Sequence, residues 1–483
     1  MAAFAKTAVE CLQDPLIWLF LVSVALATLR RRRRRGYAPF PPGPKPLPIV
    51  GNMTLVNQLT HRGLVALAEE YGGLLHLRLG CLHVVAVSTP EHAREVLQAR
   101  DGAFSNRPAT AANVYLTYGR SDLAFADSGA HVREMRKLCA TNLFSRRRAE
   151  TWLAVRDGYR ALARNVGRRS GQAVNLGELI FNHTVGVIFR AAFSAGDEGL
   201  DEFVVILRVF SKILGEFHAG DYFPWLRWTA RLGFNRRLHA ARSAVDKFTD
   251  KIIDDHVRRG KNPADADADL VDGLLAFLAD ANLSKGKDSE DALHFTRDNV
   301  KAMIMQELAD VVGLDRMVDD SDLDKLPFLG CIVKETFRMH PPIPVLLHAA
   351  AKDCVLGGYS VPKGSRIIIN MWAINRCREA WKDGDTFRPT RFMPGEGDAV
   401  GRDLKGGSFE FLPFGSGRRS CPAQGLGHHA VQLAVAYLAH GFNWELPNGM
   451  SPTELDMGDM PGITGPRATC LYVVPTSRLN CTL

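Results

Sequence analysis

Two periodicities alternate along the first hundred residues. Apolar side chains recur at helical spacing over Leu64–Tyr71, which predicts an amphipathic helix. Leu74–Leu79 and His83–Val87 then alternate apolar and polar, as half-buried strands do, and Glu91–Gln98 returns to the helical period. From Glu134 to Asp255 the pattern is almost wholly helical. Gly260–Asp269, rich in Asp, Ala, Gly and Lys, predicts a solvated loop. Further on, Leu326, Leu329, Val333 and Phe337 mark the buried face of a helix that Pro341-Pro342 must stop. Short strands punctuated by Pro and Gly fill the last third, and nothing repeats internally. The pattern predicts a mainly α chain with small β-sheets.

The two ends of this pattern change the picture. Pro15–Leu29 is an apolar run followed directly by Arg30–Arg35, with only Lys6 ahead of it. A secretory signal carries its positive charge before the apolar stretch, so the order here predicts an uncleaved anchor over residues 1–35 with the rest of the chain cytosolic. Fifteen residues is short for a span, but a thin bilayer and snorkelling arginines accommodate it. Residues 36–52 include Pro41-Pro42-Gly43-Pro44-Lys45-Pro46-Leu47-Pro48, too proline-dense for helix, and predict a stiff extended hinge. Residues 53–483 are then the main domain.

Charge and cysteine usage exclude some partners. The chain has 483 residues and a net charge of +8, of which six charges belong to the arginine run, leaving +2 elsewhere. No aromatic-interleaved basic face remains, so nucleic acid is not expected. Nine scattered cysteines, odd in number, suit a reducing compartment rather than a disulfide framework. Cys421 precedes His428 and His429, but no CxxC or HxxxH partner supports zinc.

The chemistry concentrates in Phe414-Gly415-Ser416-Gly417-Arg418-Arg419-Ser420-Cys421-Pro422. Gly415 and Gly417 permit a tight loop, Phe414 can wall off a sulfur, and Arg419 can pair with a carboxylate. A single cysteine on such a loop suits an axial thiolate under haem iron, which favours O–O cleavage. Upstream, Glu335 and Arg338 lie three apart on one helix face, and Phe387-Arg388-Pro389-Thr390-Arg391-Phe392 offers a second arginine. Arg136 stands in Val132-Arg133-Glu134-Met135-Arg136.

In order and spacing these segments resemble the cytochrome P450 family over essentially the whole chain. The resemblance implies a P450 fold, haem b as cofactor with Cys421 as its metal ligand, and Arg136, Phe414, Gly417 and Arg419 as cofactor-binding residues. It makes Glu335, Arg338 and Arg391 a buried salt-bridged triad. It also implies electrons from NADPH through NADPH-cytochrome P450 reductase at the endoplasmic reticulum membrane. Val132 replaces the family's usual tryptophan, Thr390 a frequent glutamate and Ala423 a frequent glycine.

Within the family, the text looks like the plant ferulate/coniferaldehyde 5-hydroxylase group. The supporting segments are Asn57–Leu64, Phe104–Thr110, Tyr115–Tyr118, His340–His348 and Gly462–Ala468. The implied reaction is ring 5-hydroxylation of a small aromatic phenylpropanoid in syringyl lignin biosynthesis, with Tyr115, Val345, Leu346, Leu347, His348, Ile463 and Thr464 expected to face substrate. Flavonoid 3′-hydroxylases share much of this text and are the rival within the family. One departure is large. After Asp298–Met305 the family continues into a helix carrying an acid–alcohol pair, whereas here Met305 runs straight into Gln306–Gly313. Relative to the family roughly thirty residues are missing at Met305–Gln306, enough for two helices. No threonine lies between Val300 and Asp320, so the acid–alcohol pair has no stand-in and no catalytic residue is assigned. Thr296–Val312 would form one helix about 25 Å long in place of two. An inactive haem-binding pseudoenzyme, or the product of a wrongly assigned gene structure, is the alternative this departure raises.

Overall fold

A computed structural model describes residues 38–142, 153–193, 199–259, 326–393, 397–399, 401–460 and 464–477. The expected anchor, the Gly260–Asp269 loop, the Met305–Gln306 junction and Ile463 lie outside the described residues.

The early periodicities fold as they read. Helix α1 (His61–Tyr71) starts where the Thr60 hydroxyl accepts from the Gly63 amide at 3.1 Å. Strands β1 (Leu74–Leu79) and β2 (Leu82–Val87) form an antiparallel hairpin with Leu74 opposite Val87. The Glu91–Gln98 stretch divides into a short helix, Pro90–Arg94, and a wider π turn, Glu95–Ala99. Helix α2 (Ala111–Leu116) begins with a reciprocal cap between Thr110 and Asn113.

The long helical stretch resolves into α3 (Ala130–Asn142), α4 (Leu153–Gly167), α5 (Leu176–Phe193), α6 (Leu200–Leu214) and α7 (Phe234–Arg259). It is interrupted by a two-residue strand, β3 (Val174–Asn175), which alternation over so few residues could not reveal. Phe189, Phe193, Phe203 and Phe248 cluster with ring centroids 5.2 to 6.2 Å apart and anchor this helical half.

The C-terminal third returns to the first sheet. Helix α8 (Pro327–Met339) precedes β4 (Val345–Ala349), the hairpin of β5 (Cys354–Leu356) and β6 (Tyr359–Val361), and β7 (Arg366–Asn370). Strand β7 pairs in parallel with β2 and antiparallel with β4, giving a four-stranded sheet in the order β1-β2-β7-β4. Helix α9 (Gln424–Gly441) runs from the cysteine loop into β8 (Phe442–Glu445), which pairs with β9 (Tyr472–Ser477); β9 also pairs with β3.

The proline-rich segment is extended, as its composition requires, and it is docked against the sheet. His76 N–H donates to the Pro42 carbonyl at 2.7 Å and Ser360 N–H to that of Pro39 at 2.7 Å. Phe40 stacks on His76 and His83, 4.7 and 5.0 Å away. Asn370, fully buried at the end of β7, ties the sheet to α1: its amide nitrogen donates to the His61 carbonyl at 2.8 Å, and its oxygen accepts from Ala373 N–H at 3.2 Å. Asn370→Ala removes both of these hydrogen bonds and is expected to lower unfolding free energy by about 1–3 kcal/mol, read from a denaturant midpoint. An unchanged midpoint would show that the tie contributes nothing.

Candidate cofactor and active site

Glu335 and Arg338, one helical turn apart on α8, meet at 2.8 Å through both carboxylate oxygens, and Arg391 reaches the same carboxylate at 3.0 Å. All three side chains are closed to solvent. Two guanidiniums against one carboxylate leave a surplus positive charge, and backbone carbonyls take it up. Arg338 donates to Asn375, Gly384 and Thr386, and Arg391 to Lys382, Asp383 and Thr386, at 2.6 to 3.3 Å. The Trp381 ring lies between them, 5.0 and 5.8 Å from the two guanidinium carbons. Burial alone would raise the Glu335 carboxyl. Hydrogen bonds from Arg338 and the Arg388 N–H, with the charges of Arg338 and Arg391, outweigh it and hold the group below the ordinary carboxylate range.

An aromatic chain joins this triad to the cysteine loop. Trp381 donates to the Glu410 carbonyl at 3.2 Å, Phe392 packs on Phe411 at 5.3 Å, and Phe337 meets Phe414 edge-on at 5.5 Å. The loop is closed by its own backbone, with Cys421 N–H donating to the Phe414 carbonyl at 2.8 Å. Gly417 (φ 69°) crosses so near the Glu95–Ala99 turn that a Cβ there would lie 2.0 Å from the Leu97 carbonyl. Cys421 itself is half-buried and reduced.

Two guanidiniums converge on this loop from other elements. Arg136, on α3, donates to the Ser420 carbonyl at 2.6 Å and lies within electrostatic reach of Cys421. Arg419 is 9% exposed and donates to the carbonyls of Ser105 (2.7 Å), Leu123 (3.3 Å) and Ala126. Burial, then the charge of Arg136, push the Arg419 guanidinium down to about 10, against the pull of Asp127 and Asp122. Among the described residues neither arginine forms an ion pair with a carboxylate. Two desolvated cations beside a half-buried thiol, with carbonyls as their partners, fit a dianionic ligand whose metal takes the sulfur.

The loop before α3 completes the surroundings of Arg419. Four successive carbonyls, Leu123 to Ala126, each receive a guanidinium: Leu123 and Ala126 from Arg419, Ala124 from Arg107 at 3.1 Å, and Phe125 from Arg120 at 2.8 Å. Asp122 turns the chain there, accepting from Ala124 N–H and Phe125 N–H at 2.7 Å. Arg107 and Arg120 were not singled out by sequence. Arg107 lay inside the Phe104–Thr110 segment, but a lone arginine in a loop carries no signal of a carbonyl 13 to 17 residues away.

The expected substrate residues are not gathered in one place. On β4 the pleat alternates side chains, so Val345 joins the cluster around Leu64 and Leu77, and Leu347 is exposed. Leu346 leans toward the cysteine loop, 3.7 Å from where a Gly415 Cβ would stand. His348 faces the narrow cleft beside Arg419 and Ser416, and its Nδ1–H donates to the Phe104 carbonyl at 2.8 Å. Tyr115 turns its hydroxyl to His239 on α7, and Thr464 is exposed.

The two halves of the site fit a haem-thiolate protein. The sequence profile described as Cytochrome P450 matches residues 41–306 and 292–468. Cytochrome P450 84A1 of Arabidopsis thaliana is 48% identical over 98% of each chain, and a flavonoid 3′-monooxygenase of the same plant is 35% identical over 91% of this chain and 92% of its own. A zebra fish cytochrome P450 solved with abiraterone superposes with a TM-score of 0.70 at 25% identity, over 87% of this chain and 100% of that one. This chain belongs to the cytochrome P450 family. Its cofactor is accordingly thiolate-ligated haem, and by family it is a monooxygenase.

Two outcomes follow from the electrostatics. Glu335→Gln leaves the buried Arg338 without a counter-charge and Arg391 with only the more distant Asp398, 3.8 Å away, and is expected to cost about 3–5 kcal/mol of stability, measured by denaturation of the full chain. Burial, then the charge of Arg107, push His348 down from 6.5 to about 3, so the folded state keeps it neutral. Its contribution is whole above pH 6.5 and is lost as pH falls toward 3. Between pH 6.5 and 5 the wild type is therefore expected to lose about 2 kcal/mol more than His348→Gln. Parallel pH profiles for the two chains would contradict a buried neutral histidine.

Proposed function

We propose that the chain hydroxylates carbon 5 of a guaiacyl phenylpropanoid ring, as ferulate, coniferaldehyde or coniferyl alcohol, with Cys421 as haem ligand. Arg136 and Arg419 would hold the haem carboxylates, and Phe414 and Gly417 shape the loop that carries Cys421. When bound, the haem supplies dioxygen activation, with electrons from NADPH through the P450 reductase. The single observation that carries the substrate reading is full-length similarity. The two relatives of the 84A group are 48% and 45% identical, against 34–35% for the flavonoid 3′-monooxygenases. The latter are aromatic-ring hydroxylases by name, which supports a planar phenolic substrate.

The same reading places the chain at the endoplasmic reticulum membrane. No helix among the described residues is long and apolar enough to cross a bilayer, and the apolar run at 15–29 precedes them. Support comes from two exposed apolar groups. Leu47, Ile49 and Val50 are exposed, as are Trp225, Trp228 and Leu232. Both groups hang on one turn: Gly80 N–H donates to the Val50 carbonyl and Cys81 N–H to that of Tyr222. Apolar surface so placed suits a lipid interface.

A second reading has its own observation. The family profile matches in two pieces that overlap at residues 292–306, and the alignment to the 48% relative spans 514 positions against a chain of 483. A break in the match there is compatible with a deletion in that region, and with it a haem protein that binds but does not turn over. Full-length chain in microsomes with reductase and NADPH, given coniferaldehyde, decides between them. The hydroxylase reading requires 5-hydroxylated product that disappears in Cys421→Ser. A thiolate-type carbon monoxide spectrum without product would favour the second reading, and neither spectrum nor product would contradict both.

A further inference from the structure

The loop after α2 holds three consecutive residues in left-handed backbone: Tyr118 (φ 54°), Gly119 (φ 76°) and Arg120 (φ 68°). For a residue with a Cβ this conformation costs roughly 1–2 kcal/mol, so Tyr118 and Arg120 together need an outside hold. Helix α7 supplies it. Asp246 accepts from the Tyr118 hydroxyl at 2.5 Å, and the Arg242 guanidinium lies 3.6 Å from the centre of the Tyr118 ring. Arg242 also donates to Asp246 at 3.3 Å and to the Tyr115 carbonyl at 2.6 Å. One α7 turn earlier, His239 meets the Tyr115 hydroxyl.

The twist has a consequence across the loop. It sends the Arg120 side chain back onto the Phe125 carbonyl (2.8 Å) and the Arg107 carbonyl (2.9 Å), with Asp127 as its ion-pair partner. Arg120 thereby fixes the middle of the run from Leu123 to Ala126, whose two outer carbonyls hold Arg419. An unbroken path of contacts leads from α7 through Tyr118, Arg120 and the carbonyl run to the guanidinium beside the cysteine loop.

We propose that Tyr118, Arg242 and Asp246 form a lock that positions Arg419 by holding the 118–120 turn in its left-handed form. They are positioning residues, acting through the loop. The inference rests on the cofactor role given to Arg419 above only for its effect on haem, not for its effect on the loop.

Hydrogen–deuterium exchange on the full chain tests it, with Asp246→Ala, which leaves no acceptor for the Tyr118 hydroxyl, as the main variant and Tyr118→Phe, which removes only a hydroxyl, as a variant that keeps the packing. Amides of residues 117–128 are expected to exchange about tenfold faster in Asp246→Ala, while residues 327–339 keep wild-type rates. Adding Tyr118→Phe to Asp246→Ala is expected to change nothing further, because the hydrogen bond between the two side chains has already been lost. Haem titrated into the cofactor-free full chain is expected to bind about five- to tenfold more weakly. Wild-type exchange over 117–128 in both single variants, or acceleration spread equally over 327–339, would overturn the lock. Faster exchange in the loop with unchanged haem affinity would keep the lock and overturn the cofactor role of Arg419.

Discussion

Buried guanidiniums held by backbone carbonyls are the interaction on which this structure depends. Arg338 and Arg391 share one carboxylate, Glu335, and spend their remaining donors on the 375–386 loop. A charged group in a low-dielectric interior tolerates almost no displacement, because each lost partner leaves a full desolvation cost uncovered. The triad therefore fixes a loop that has little regular secondary structure of its own. Through Trp381, Phe392, Phe411 and Phe337 that rigidity reaches Phe414, whose carbonyl closes the ring around Cys421.

The same device recurs on the other side of the cysteine. Arg419, Arg107 and Arg120 order the 123–126 carbonyls without any strand or helix, and Arg136 closes on Ser420 from α3. The two networks differ in one respect that bears on chemistry. The triad contains its own carboxylate, and backbone carbonyls take up its surplus positive charge. The Arg136–Arg419 pair has no ion-paired carboxylate among the described residues. A cofactor with two carboxylates and a metal for the thiol would answer that deficit in charge.

Much of this was legible because it is local or strongly patterned. Leu74–Leu79 and α8 could be read from period and punctuation, since a strand with one buried face and a helix stopped by Pro341-Pro342 leave little choice. Glu335 and Arg338 share a face by helix geometry alone. Arg391 needed the resemblance, because its partner lies 56 residues away. What could not be read depends on contacts with no sequence period. The proline segment announced its stiffness but not that His76 and Ser360 would receive it. Three apolar β4 residues, Val345, Leu346 and Leu347, and His348 look like one lining, yet a pleat of period two must send neighbours to opposite faces. The left-handed backbone of Tyr118 and Arg120 is met by contacts from α7, more than a hundred residues downstream, and only Gly119 between them hints at it in the sequence.

Iron K-edge X-ray absorption on the haem-loaded full-length chain tests the central claim most directly, since it counts the ligands of the metal whatever the turnover. The account requires one sulfur in the iron's first coordination shell of the wild type, and its loss in Cys421→Ser with the triad left intact. A first shell of nitrogen and oxygen alone in the wild type, or a sulfur that survives the substitution, would contradict it.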